Sequence, residues 1–229
     1  FANRIFNGTL CYDYQGEGDE YPCEQDYYEP GVDPVNYPNG IGFTDGYKAA
    51  NDVVVDPQST FKPQLLTFDV LYVSGDPTTF TLQLHADNGS GGVGAEIGPA
   101  YNLSPSDYTS TYRGMWSGVF PQYIIEVDLT SANIVLENTT DDPMFYWVSV
   151  DAGLSSTGEW GYWASYNYPG GPSNPEWQYN ATDGWFEYGS GSPVEGGMKV
   201  EGLCSGDSDP EPGDECDYEL FTTNAGNPD

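Results

Sequence analysis

The chain has 229 residues and a formal net charge of −31, with five Lys or Arg against 36 Asp or Glu, which disfavours nucleic acid and anionic membrane as partners. Aromatic residues make up 15% of it, Gly and Pro number 29 and 18, and no long stretch is dominated by Ala, Glu, Lys, Leu and Arg, so strands and turns are expected and little helix. No run approaches the ~18 apolar residues of a membrane-spanning helix.

Phe1–Leu10 mixes apolar and polar residues and reads as a first strand or as an arm that needs a partner. From Cys11 to Asn39 there are almost no aliphatic residues, which predicts a disulfide-pinned acidic loop outside the core. Strands are then expected at Asn51–Val55, Leu65–Val73 and Thr79–Ala86. The last alternates cleanly, with Phe80, Leu82, Leu84 and Ala86 on one face and Thr79, Thr81, Gln83 and His85 on the other. That parity puts the lone histidine, His85, on a polar face, where a surface role is expected.

Asp87–Gly94 predicts a Gly-rich turn, and Ile97–Gly118 looks irregular. Tyr123–Leu129 alternates again, with Tyr123, Ile125, Val127 and Leu129 inward. Met144–Val150 is an uncharged run of β-branched and aromatic residues between Asp-Asp-Pro and Asp-Ala-Gly, the pattern of a central strand covered on both faces. Glu159–Ala164 is a second aromatic strand expected beside it. Ser165–Gly184 reads as a Pro/Gly-rich loop, and Trp185–Tyr188 and Gly197–Leu203 close the domain. Short antiparallel strands at this spacing predict an all-β, two-sheet sandwich of jelly-roll type with long loops. The expected organisation is an N-terminal arm and loop over 1–40, a sandwich over 41–204 and an acidic Pro/Gly-rich tail over 205–229.

The four cysteines, Cys11, Cys23, Cys204 and Cys216, lie near the two ends, and each terminal pair is separated by the same interval. Two local disulfides are the simplest pairing; a crossed pairing that staples the ends together is the alternative. A zinc site is disfavoured, since there is no Cys-x-x-Cys and His85 is far away in sequence. Disulfides, together with a start at Phe1 and no apolar leader, lead us to expect a processed extracellular protein, secreted or displayed at a cell surface.

One histidine and no Gly-x-Ser-x-Gly leave little for a Ser/His triad, so no enzymatic activity is expected. A glycoside hydrolase would need two carboxyls flanking a cleft, and nothing selects a pair such as Glu159 and Glu187 from the 36 acids. Binding has better material. Sugars are held by stacking on aromatic faces with hydrogen bonds from polar side chains, and the stretch from Tyr166 to Tyr188 supplies Tyr166, Tyr168, Trp177, Tyr179, Asp183 and Trp185 as candidate ligand-binding residues. The competing reading has these rings packing the loop and plugging the end of the sandwich. A polysaccharide or cell-surface glycan is one expected partner. Copies of the chain itself are the other, through a terminal strand added to a neighbour's sheet as in a filament or surface layer. Five Asn-x-Ser/Thr sequons, at Asn7, Asn88, Asn102, Asn138 and Asn180, are candidate glycosylation sites.

Two resemblances follow from the order of motifs. Ala50-Asn51-Asp52, Thr60-Phe61, His85-Ala86-Asp87-Asn88-Gly89, the strand Tyr146–Val150, Trp160-Gly161-Tyr162-Trp163 and a closing strand ending at Gly202 resemble β-sandwich modules of large secreted or surface proteins of Bacteroidetes-type bacteria. The resemblance spans Ala50–Leu203. It departs from the pattern at Asp52-Val53, where a second Asp and a Phe are usual, and at Ser90–Gly94, where Pro-Gly is common. It implies a non-catalytic module for adhesion, matrix or polymer binding. The stretch Asp207–Asp217 is similar to a thrombospondin type 3 calcium repeat without its Asp-Gly pair. That likeness implies bound calcium at Asp207, Asp209, Asp214 and Asp217, with an acidic linker as the alternative.

Overall fold

A computed structural model describes residues 20–26, 39–72, 77–116, 118–154, 161–167, 175–188 and 194–206. The strands are β1 (Tyr21–Asp26), β2 (Asn39–Gly42), β3 (Lys48–Val55), β4 (Ser59–Tyr72), β5 (Pro77–Asp87), β6 (Val93–Leu103), β7 (Tyr108–Trp116) and β8 (Phe120–Asp128). They continue with β9 (Leu136–Asn138), β10 (Met144–Leu154), β11 (Gly161–Asn167), β12 (Trp177–Asn180), β13 (Gly184–Glu187), β14 (Val194–Gly196) and β15 (Met198–Gly206). One 3-10 turn, Thr130–Ala132, is the helical element among the described residues. All named strand pairings are antiparallel and fall into two sheets that do not close into a barrel, so the fold is an all-β, two-sheet sandwich.

The larger sheet is organised on β4. Its fourteen residues are long enough to pair with β15 and then β11 along one side and with β9 and β8 along the other. β1 adds to the outer edge of β15, β7 to that of β8, and β2 and β14 flank β11. The smaller sheet has the order β13-β12-β3-β10-β5-β6. Met144–Val150 thus lies in the central strand β10, between β3 and β5, as its uncharged run requires. The inner faces meet in a core that includes Phe61, Phe68, Ile125, Trp163 and Met198 from one sheet and Val53, Phe80, Leu82 and Val150 from the other. Period-two alternation delivers each of these side chains inward.

Buried polar side chains stitch the sheets together, because backbone groups exposed between them need partners. Asn51 Nδ2 donates to Gly196 O at 3.2 Å, and Gln178 Nε2 donates to Gly42 O at 3.0 Å. The Ser165 hydroxyl donates to buried Glu176 Oε2 at 2.7 Å. At Val54, where β12 no longer covers β3, the side-chain amide of Gln25 on β1 takes the backbone: its Nε2 donates to Val54 O, and Val54 N donates to its Oε1.

Several expectations are corrected. The aromatic strand after β10 is β11, and it lies in the opposite sheet rather than beside β10. Ile97–Gly118 is regular, because most of it belongs to β6 and to the β7–β8 hairpin, whose exposed faces carry no hydrophobic alternation. The loop over 165–184 contains the strand β12. Residues 21–26, expected in a loop, form β1. Cys23 is bonded to Cys204, 181 residues away, so the local pairing is wrong and the crossed one holds for these two. The reason is register: Cys23 stands opposite Gly202 and Tyr21 opposite Cys204, which sets the two Cα atoms 5.8 Å apart. Cys11, Cys216 and the 1–10 arm lie outside the described residues.

Candidate functional site

A void between the sheets, lined by Val53, Phe61, Leu66, Leu82 and Val148 among others, measures about 20 Å³ and is apolar, too small for a ligand. Binding pockets are usually more than ten times larger. The outer face of the smaller sheet is different. Since Phe80, Leu82, Leu84, Val148 and Val150 point into the core, Thr81, Gln83, His85, Trp147, Ser149 and Asp151 point outward by alternation. This outward face is not simply wet. Trp147 is fully buried there with Ala50 and Val93, and the half-buried Trp177 and Trp185 of the β12–β13 hairpin pack against them.

The hairpin curls over the sheet. The Trp147 and Trp177 rings meet edge to face at 6.2 Å, and Trp185 stands edge-on to the His85 ring at 5.4 Å, although β13 and β5 are four strand positions apart. Trp177 also reaches the turn between β5 and β6. A Cβ on Gly92 would come within 2.4 Å of its ring, so only glycine fits. Asp87 accepts from Gly89 N at 2.6 Å and Asn88 Oδ1 from Ser90 N at 2.8 Å, which folds that turn into place.

His85 is therefore buried, contrary to its expected surface position. The parity was right, but the face is covered. Its Nε2 lies 2.9 Å from the Ser149 hydroxyl. Burial holds the imidazole below its ordinary pKa, opposed by a hydrogen bond with the Gly94 backbone and by Glu96, while Lys48 lowers it further.

Beyond this covered floor an open row crosses the face. Tyr179 on β12 pairs with Lys48 on β3. Lys48 stands one step past the Ala49–Val150 pair, opposite Asp151 on β10. Asp151 pairs with Thr81 on β5, and Thr81 pairs with Asn102 on β6 and donates to its Oδ1 at 3.1 Å. The Lys48 ammonium sits 5.6 Å from the centre of the Tyr179 ring, which in turn leans on Trp185 at 5.4 Å. Burial raises the Asp151 pKa, and Lys48 pulls it back down. Four strand spacings make the row about 19 Å long, with an aromatic end and polar donors and acceptors along it.

Of the expected ligand-binding residues, Trp177, Tyr179, Asp183 and Trp185 are brought together on one hairpin. Asp183 accepts from Asn180 Nδ2 at 3.0 Å and shapes the turn. Tyr166 belongs to β11 in the other sheet, and Tyr168 lies outside the described residues. Lys48, Thr81 and Asp151 were not anticipated. Their only local signal is outward parity, and register across four strands is needed to align them. The expected calcium ligands Asp207, Asp209, Asp214 and Asp217 lie outside the described residues, and among the described ones no group of three or more His, Cys, Asp or Glu is set to hold a metal.

The sequons divide. Asn138 is 1% exposed, its Nδ2 donates to Val55 O and Asp142 O, both at 2.9 Å, and its Oδ1 accepts from Thr140. A glycan on that nitrogen would replace one of its two hydrogens and so break at least one of the donated bonds. Asn88 and Asn180 close turns through the Ser or Thr of their own sequons, so Asn-x-Ser/Thr here is also turn chemistry. Asn102 is exposed on β6, and Asn7 lies outside the described residues. No helix among the described residues is long and apolar enough to cross a membrane. No protein-family model and no curated protein matches the chain.

Proposed function

We propose that the chain is a non-catalytic extracellular β-sandwich module that binds carbohydrate along the outer row from Tyr179 and Trp185 through Lys48 and Asp151 to Thr81 and Asn102. The observation that carries this is the aromatic hairpin laid beside an open polar strip, the combination that grips a sugar ring by its face and its hydroxyls. The Cys23–Cys204 disulfide supports an oxidising, extracellular setting. Stabilisation by calcium through 207–217, and kinship with Bacteroidetes-type surface modules and with thrombospondin type 3 repeats, are further parts of the proposal.

Binding to a broad glycan array, with calcium and again with a chelator, tests it. Signal is expected that Tyr179→Ala and Lys48→Ala each reduce without loss of fold. A blank array in both conditions sinks the function. Signal untouched by both substitutions sinks the site, and signal indifferent to chelator removes calcium from it.

A further inference from the structure

The charges around the outer row narrow what it can hold. The six strands of the smaller sheet contain one Lys or Arg, Lys48, against five carboxylates, Asp52, Asp87, Glu96, Asp151 and Glu187. Lys48 is itself engaged. Its ammonium lies 5.6 Å from the centre of the Tyr179 ring, and its charge acts on the Asp151 carboxyl opposite. Lys62 and Lys199 belong to the larger sheet and are paired there with Glu20 and with Glu24 and Glu201. An anionic sugar would have to pull Lys48 from Asp151 and approach through the field of a −31 chain. Hydroxyl groups meet no such barrier. Ionised Asp151 accepts hydrogen bonds, Lys48 donates them, and Thr81 and Asn102 do both.

The shape of the row narrows the ligand again. Tyr179, Lys48, Asp151, Thr81 and Asn102 come from β12, β3, β10, β5 and β6 and follow one another across the sheet. Their polar groups are spread along about 19 Å of outer face rather than converging on one point. A single sugar ring fills a fraction of that length, whereas an extended chain of several rings fills it. Resting on the carbohydrate reading above, we propose that the ligand is an uncharged, extended polysaccharide chain lying across the strands, with Tyr179 and Asn102 at the two ends of the bound segment.

A glycan array titrated with the 229-residue chain at low and at high salt tests this, provided it carries uncharged oligosaccharides from mono- to hexasaccharide beside uronate-containing and sulfated ones. The strongest signal is expected on an uncharged series, with about tenfold higher affinity for its hexasaccharide than for its disaccharide and no loss at high salt. Tyr179→Ala and Asn102→Ala are each expected to lower hexasaccharide affinity about fivefold, with circular dichroism verifying the fold. Strongest signal on acidic glycans, equal affinity for mono- and hexasaccharide, or a hexasaccharide indifferent to Asn102→Ala overturns this inference while the carbohydrate reading stands. An array blank for every class overturns both.

Discussion

The β12–β13 and β7–β8 hairpins are both rich in aromatic residues, yet one lies down on its sheet and the other stands clear. The difference is the floor each meets. On the outer face of the smaller sheet, Trp147 and Ala50 with Val93 present apolar surface, and Trp177 and Trp185 cover it. At the β7–β8 tip Trp116 stacks on Phe120 at 5.5 Å within its own hairpin, and Met115 and Val119 stay exposed. Burial follows what lies opposite a side chain, not how apolar the chain is locally.

Removing the floor is the strongest way to break this contrast. Trp147→Ala deletes a fully buried ring and is expected to cost about 3–5 kcal/mol in urea unfolding, with the hairpin released. A loss under about 1 kcal/mol would mean that Trp147, Ala50 and Val93 are not packed under the hairpin as described. Gly92→Ala attacks the same packing from the turn. Its methyl group would strike the Trp177 ring, so about 1–3 kcal/mol of destabilisation and altered tryptophan fluorescence are expected. Unchanged stability would show that Trp177 does not lie against that turn.

A pH titration sharpens the contrast next. Burial lowers the folded-state pKa of His85, so the unfolded chain takes up a proton near pH 6.5 while the folded chain resists. This contribution to stability is complete above about pH 6.5 and is lost as the pH falls below it. The urea midpoint should therefore hold between about pH 8 and 7 and drop as the pH falls below about 6.5, still above the range where ordinary carboxylates titrate, and His85→Gln should flatten the drop. An equal drop in that variant would remove His85 as its cause. The smallest effect is expected at the β7–β8 tip. Trp116→Ala removes the ring stacked on Phe120, and a loss of about 1 kcal/mol is expected in the same unfolding measurement. A loss as large as that for Trp147→Ala would erase the distinction between the hairpins.

The fold was legible where one face alone decides a strand. Tyr123–Leu129 and Thr79–Ala86 alternate because one side meets the core, and the burial of Ile125, Val127, Phe80 and Leu82 follows. β7 could not be read this way, since Thr109–Arg113 are exposed on both faces and leave no period. Half of the candidate site was legible for a similar reason. Trp177, Tyr179 and Trp185 share a short hairpin, whereas Lys48, Asp151 and Thr81 become neighbours only through cross-strand register.

The amino-acid sequence alone determined the class of fold, because period-two patterns and turn residues are local and each strand carries its own. It also determined that β10 is central, since an uncharged run tolerates no wet face. Sheet membership, disulfide pairing and the cover over His85 were decided only in the tertiary structure. Each depends on which strand lies beside which, and the antiparallel pairings that set this join residues far apart in the chain, as Cys23 and Cys204 are.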